Sequence, residues 1–440
     1  MANISRDGGA AAKTPIATES VGRARWLHLI PVIFLMYTIA FFDRVNIGMA
    51  LPSMSADLHL SPSQQGFAGG VFFWGYLPSF LAGGWLALRF GARRTILGSL
   101  ITWGLFSMAT GLASSFHQLA ALRFLLGFAE GPLWTSISLL LSQWFLKSER
   151  GRAFGLWNLS IPVGALLSGP LSGLVLQYWG WHTMFVVGGL PAWIWAVVWW
   201  RAIPKDLDHA HWLPAEERRN LENGLAIEQA QFAATHASKD WHGMLRQPAV
   251  WLLLGATCFN NMIFYGFGLW LPTVLKAASA LNIARVGILN ALPYVASGIG
   301  LLLCTRSSDR HKERRLHAGL PMIIGGIFLF LGSRTGWGLL QMVIFILVGF
   351  TMYMTLPLIS TLVTDILPSA LAIPAIAMIG GVGNLFGGFV GPQMVGTLKQ
   401  MTGNFTVAFS LIGLFGVIGG LLILSVRPVR PDASKSPATG

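Results

Sequence analysis

The sequence predicts an all-helical membrane protein with twelve spans in two parallel six-helix bundles. Three observations carry that expectation: a charge-poor, apolar composition, apolar runs long enough to cross a bilayer, and a weak internal repeat. Of 440 residues, 54% are hydrophobic and only 11% charged, and the mean hydropathy is +0.61. A soluble domain carries about 25% charged residues, so the solvent for this chain is lipid. The apolar runs are long and continuous rather than short and alternating, which points to helices and away from a barrel. The 52 glycines and 18 tryptophans fit closely packed spans with aromatic residues at the interfaces.

A helix needs about 20 apolar residues to cross the hydrocarbon. That length places spans at 28–50, 66–88, 95–114, 118–142, 153–176 and 182–201. Six more follow at 249–273, 283–305, 317–333, 337–363, 371–397 and 404–426. Between the two sets, 202–248 has soluble composition, and Pro214 followed by AEERRNLENGLAIEQ predicts a surface helix. The chain therefore divides into a tail at 1–27, a bundle at 28–201, the linker, a second bundle at 249–426 and a tail at 427–440. The tail before the first span is polar and basic, and the span after it lacks a small-residue cleavage pattern, so no signal peptide is expected.

Lysine and arginine set the orientation. The two tails, the linker and loops 2/3, 4/5 and 8/9 hold 24 of the 30 basic residues; Lys276, Arg285, Arg334 and Lys399 lie opposite. The positive-inside rule puts both termini in the cytoplasm of a bacterial inner-membrane protein. The formal charge of +13 is thereby explained by topology, and no nucleic-acid partner is implied.

The bundles echo each other. GMALP at 48–52 recurs as GLWLP at 268–272, LRFGARR from Leu88 matches DRHKERR from Asp309, and SGP ending at Pro170 matches VGP ending at Pro392. The three offsets are 220, 221 and 222 residues. Parallel repeats of this kind define transporters in which substrate binds between the halves near the midplane.

Charges inside spans are the strongest functional signal. Asp43 and Arg44 stand about fifteen residues into the first span, some ~22 Å along a helix, and must face a cavity or each other. Arginine holds a carboxylate through a planar fork while keeping its charge, and aspartate can gain or lose a proton. Glu130, in the fourth span, has no basic neighbour in its local sequence and fits a proton carrier. Arg123, seven residues earlier, shares its helix face about 10 Å away. The plainer alternatives are a structural Asp43–Arg44 pair, a snorkelling Arg123 and a hydrogen-bonding Glu130. Tyr76, Asn260, Asn261, Tyr265 and Asn384 are polar groups inside spans, serving either substrate or helix packing. Asp365 reads as a gate or loop residue. Cys258 and Cys304 read as small packing residues, with no metal-type spacing. No Walker-type, haem or catalytic Ser/His/Asp pattern occurs, so neither a cofactor nor an enzyme is expected.

GGWLALRFGARR at 83–94 and SDRHKERR at 308–315 resemble the paired loop motif of the major facilitator superfamily. DRVNIGMALP at 43–52, RFLLGFAEG at 123–131, GNLFGGFVGP at 383–392 and the linker's WLPAEE are similar to its anion:cation symporter group, which takes up organic acids with protons. The resemblance spans roughly residues 26–426. It implies Arg44, Tyr76, Asn384, Phe41, Asn46, Tyr265 and Asn261 at the substrate, Asp43, Glu130 and Arg123 in proton coupling, and Arg89, Arg93, Asp309 and Arg310 in gating. Leu88 replaces the usual acid of the first loop while Asp309 is kept, so an asymmetric latch is expected. Phe41 and Ile161 stand where sugar-acid members often carry Tyr and Gln. The helix-5 pattern SIPVGALLSGPLSG is closer to members handling tartrate, phthalate or hydroxyphenylacetate. The reading is a monomeric importer of a small carboxylate with protons; an exporter or exchanger, and more remotely a membrane enzyme or a sensor, are the alternatives.

Overall fold

The computed structural model describes residues 22–234, 241–336, 338–367 and 369–426. Most of the two tails, and Lys239 of the linker, lie outside the described residues. Those described are helical, with no strand among them. In the first half, spans run over Ala24–Asp57, Pro62–Phe90, Ala92–Thr110, Phe116–Trp144 and, as a bent pair, Lys147–Ala202. In the second they run over Pro248–Ala278, Ile283–His311, Arg315–Gly332, Leu339–Ile366, Ser369–Thr402 and Thr406–Ser425.

Several helices outrun the apolar stretches that predicted them. The first is 34 residues long because its ends continue past any hydrocarbon layer. The fifth and sixth spans are two helices, as expected, that follow each other without a loop and are separated by a kink at Gly180. There φ is 76°, a left-handed conformation that glycine adopts without a Cβ clash. Other spans are interrupted near mid-length: the first at Asn46, the second at Val71, the fourth at Gly131 and the tenth at Tyr353–Met354. Pro357 accounts for the last, since it offers no N–H to the Tyr353 carbonyl four residues back. The linker helix appears after Pro214 as expected, over Ala215–Ala234.

The halves meet at one end and part at the other. At the end away from the basic loops, Gly48 packs on the Leu269 backbone, bringing the repeated GMALP and GLWLP segments face to face. The repeated Gly-Pro pairs mark the two equivalent crossings: Gly169 lies on Gly287 of the eighth span, and the Pro392 carbonyl lies on Gly66 of the second. At this end, hydrogen bonds joining the halves converge on Ser63, which meets Thr397, Gln393 and Gln400. The main buried cluster crosses between the halves at this closed end, whereas a separate cluster around Leu253, Leu358 and Ala375 fills the other end of the second half.

The linker is fastened to the first half. Buried Arg25 donates to Glu217 of the linker helix at 2.9 Å, to Glu149 at 3.1 Å and to the Trp144 carbonyl at 2.6 Å. Arg150 holds Glu228 at 2.7 Å, about three turns further along the linker helix.

Two glycines separate packing within a half from packing between halves. Gly127 lies against the Phe72 carbonyl inside the first half, and Gly287 lies against the Gly169 carbonyl across the closed end. Gly127→Leu should destabilise the protein by about 3 kcal/mol, since the fourth span cannot move away from the second. Gly287→Leu should melt near wild type yet hold the closed end apart. Thermal melting, and thiol labelling of a cysteine placed at Ser63, report these outcomes; equal melting loss in both variants would contradict this separation of packing within a half from packing between halves.

Candidate functional site

Arg44, Glu130, Asp43 and Arg123 gather at mid-membrane in the first half, but not in the pairs their sequence positions suggest. Successive residues on a helix point about 100° apart. Arg44 therefore faces the cleft while Asp43 turns back into the bundle. Arg44 donates to Glu130 Oε1 from Nε at 3.1 Å and from Nη2 at 2.5 Å, with 7% and 1% of the two side chains exposed. Glu130 Oε2 has no hydrogen-bond partner among the described residues. The Arg44 guanidinium also lies 5.0 Å from the centre of the Tyr76 ring, 5.3 Å from Phe72 and 5.5 Å from Phe41.

Asp43 is held by three donors: Trp103 Nε1 at 2.7 Å, Ser107 Oγ at 2.7 Å and Asn46 Nδ2 at 3.0 Å. The Asp43–Arg44 pair is thus replaced by two separate arrangements, and Asn46 is turned to Asp43 instead of the cleft. Trp103 and Ser107 carried no signal as an acid's partners, because third-span aromatic and serine residues look alike in sequence whether they pack or donate.

Arg123 does not snorkel. It is 1% exposed, its Nη2 reaches only the Arg44 carbonyl at 3.5 Å, and its Nε and Nη1 have no partner among the described residues. A buried guanidinium with open donors is costly to maintain unless an anion completes it.

Across the cleft, the Asn384 amide oxygen accepts from Asn261 Nδ2 at 3.1 Å, with the Tyr265 hydroxyl at 3.5 Å. These three candidates are therefore together, on the seventh and eleventh spans. Tyr76 and Tyr265 both interact electrostatically with Arg44, Tyr265 from the opposite half. Asn260 is buried, and its amide nitrogen has no hydrogen-bond partner among the described residues. A pocket with about 460 Å³ of atom-free space, part of it continuous with solvent, is walled by Phe41, Arg44 and Arg123 of the first half and by Tyr265, Tyr294 and Tyr353 of the second. Tyr294 and Tyr353 were not anticipated.

The gating candidates lie apart from this site. Arg93 bonds the Trp200 carbonyl and covers its ring, and Arg89 lies over Trp85 and Phe90, so among the described residues the first loop makes no acid–base pair. In the second half Arg314, which was not singled out, bridges Asp309 at 3.7 Å and Asp365 at 2.9 Å. Arg310, a gating candidate, is exposed. The two loops are thus unlike, and the acid of the second acts with Arg314.

Two parallel helical halves, closed at one end over a charged pocket at mid-membrane, are the architecture of a secondary transporter. The chain belongs to the major facilitator superfamily: the sequence profile of that description, Major Facilitator Superfamily, matches residues 33–392. It is 34% identical over 409 residues to a quinolone resistance transporter of Acinetobacter baumannii, covering 91% of this chain and 94% of the relative. A protein of Agrobacterium vitis named for tartrate transport is 32% identical over 406 residues, covering 91% and 88%. Among solved structures, a bacterial homologue of the human lysosomal transporter Spinster, inward-facing and occupied, superposes with a TM-score of 0.72. At 17% identity over 92% of this chain and 97% of that one, the likeness shows the fold alone. The chain is a multi-pass membrane transporter of this superfamily and not an enzyme.

Proposed function

We propose that the protein imports a carboxylate-bearing organic anion together with protons, by alternating access, across a bacterial inner membrane. The observation that carries this reading is the pairing of Arg44, which lines the pocket, with the buried Glu130. One guanidinium serves two carboxylates in turn. While Glu130 is ionised it occupies Arg44; once protonated it is a weak partner, and the fork is free for a substrate carboxylate. Arg123, with open donors beside the same pocket, supplies the second cation. Loss of the Glu130 proton on the release side re-forms the pair and displaces the substrate. Asp43, behind Arg44 and in electrostatic contact with Arg123, is a second protonation site.

The positive-inside rule supports placing the basic loops, the linker and both termini in the cytoplasm. With the opposite end closed, the conformation is then inward-facing. Carboxylate recognition also draws on the relative named for tartrate transport.

Export driven by proton exchange is the second reading, favoured by the relative named for quinolone resistance. Proteoliposomes with an imposed pH gradient separate the two. Import by symport predicts accumulation of a radiolabelled carboxylate when the outside is more acid than the lumen. Accumulation only when the lumen is the more acid side would make the protein an antiporter.

A further inference from the structure

The internal repeat aligns two loops whose charges are satisfied differently. The 221-residue offset that sets Leu88 against Asp309 also sets Arg93 against Arg314 and Arg94 against Arg315. In the second half Arg314 holds Asp309 and, at the end of the tenth span, Asp365. The first half has neither acid. Leu88 replaces Asp309, and the fourth span ends in Gln143 and Trp144 where the tenth ends in Asp365 and Ile366. Among the described residues, Arg89, Arg93, Arg94 and Arg201 make no ion pair, and Arg93 Nε has no hydrogen-bond partner.

Two of these arginines are nonetheless fixed in place. Arg93 donates to the Trp200 carbonyl with its guanidinium 3.9 Å from the centre of that ring, and Trp199 Nε1 donates to the Arg93 carbonyl at 3.1 Å. Arg89 lies 5.4 Å from the centre of the Trp85 ring and 5.7 Å from that of Phe90. The third span begins between them, at Ala92, without a side-chain cap, so the free N–H groups of its first turn add partial positive charge. Leu81, Trp85 and Leu88 form an exposed apolar stripe along the second span, and Leu88, 76% exposed, ends it one residue before Arg89. Cations without acids therefore stand at the tip of a lipid-facing stripe.

Such a surface is completed by an anion that arrives with its own hydrocarbon. A soluble anion leaves the stripe uncovered, and an acidic protein segment has to displace lipid from it. We propose that Arg89, Arg93 and Arg94 bind the phosphate of one anionic phospholipid from the leaflet beside the basic loops, with its acyl chains along Leu81, Trp85 and Leu88. The lipid phosphate stands in for the acid that Asp309 supplies to Arg314 in the second half. Phosphatidylglycerol suits the site better than phosphatidylcholine, whose choline brings a cation where no acid receives it.

The test is native mass spectrometry of the purified protein in neutral detergent, titrated with phosphatidylglycerol or phosphatidylcholine of equal chain length. One phosphatidylglycerol should be retained about tenfold more tightly than phosphatidylcholine. Three substitutions lower the net charge equally: Arg93→Gln and Leu88→Asp at the site, and Lys205→Gln on the exposed linker. Arg93→Gln removes a partner of the phosphate and Leu88→Asp supplies an internal acid in its place, so both should erase the preference. Lys205→Gln should keep it, as should Leu88→Asn, which adds polarity without charge. Leu88 is exposed, so Leu88→Asp tests the proposal even if Arg93→Gln folds poorly. Equal retention of the two lipids by the wild type, equal loss in Lys205→Gln, or an unchanged preference in Leu88→Asp would overturn the proposal. Displacement of the lipid by millimolar inorganic phosphate would overturn it too, making the arginines a site for free anions.

Discussion

Replacing Arg44 with lysine should weaken carboxylate binding by roughly a hundredfold, equivalent to about 3 kcal/mol, while the protein inserts and folds. Lysine keeps the charge, so any loss reports geometry. An ammonium cannot present two parallel N–H groups to one carboxylate, and it is a poorer partner for stacked rings than a planar guanidinium. Three rings surround Arg44 here, with centres 5.0 to 5.5 Å from its central carbon, so both losses apply. Arg44→Ala is a harsher change of another kind. It leaves Glu130 buried and uncompensated, which costs about 3–5 kcal/mol of stability if the acid stays ionised. A double-mutant cycle resolves the two effects: Arg44→Lys, Glu130→Gln and the double variant are compared by melting and by binding. Unchanged affinity in a folded Arg44→Lys protein would remove Arg44 from the substrate and leave the Arg44–Glu130 pair as a structural tie.

How much of this was readable in advance depended on whether a feature lies along the chain or across it. Apolar run length and basic-loop clustering place twelve spans, because each is a local property weighed against one solvent. The repeated GMALP and SGP segments were visible as an echo, and their contacts explain the echo: each sits where its half touches the other. Charges in spans are rare enough to be noticed singly, so Asp43, Arg44, Glu130 and Arg123 were all found. Their partnerships were not. Glu130 has no cation near it in sequence because its partner is 86 residues away, and adjacency in sequence misdirected Asp43 toward Arg44. Arg25 looked like one tail cation among several, yet its acids come from the linker and the 4/5 loop, 192 and 124 residues distant. Tyr294 and Tyr353 carried no signal at all, since a tyrosine in a span looks the same whether it packs, faces lipid or lines a pocket.

Glu130→Gln should abolish proton-driven accumulation while leaving substrate binding and exchange in place. Glutamine reproduces the size and hydrogen-bonding outline of the protonated acid but has no proton to lose, so Arg44 stays permanently available to substrate. Binding should then equal or exceed wild type, because no carboxylate competes for the guanidinium. Counterflow, which needs only the loaded protein to reorient, should continue; uptake against a gradient should fall to the background of empty liposomes. Wild-type uptake should rise as the external pH falls, since the outer face must supply the proton, and the variant should lose that dependence. Asp43→Asn is the less direct test, because Asp43 also gathers Trp103, Ser107 and Asn46, and its neutralisation disturbs the packing behind Arg44. Counterflow and pH-driven accumulation are measured on the same purified preparation, so a folding defect shows as loss of both. If Glu130→Gln still accumulates substrate with wild-type dependence on the proton gradient, the competition between Glu130 and substrate for Arg44 is not the coupling step, and the proton must be carried at Asp43.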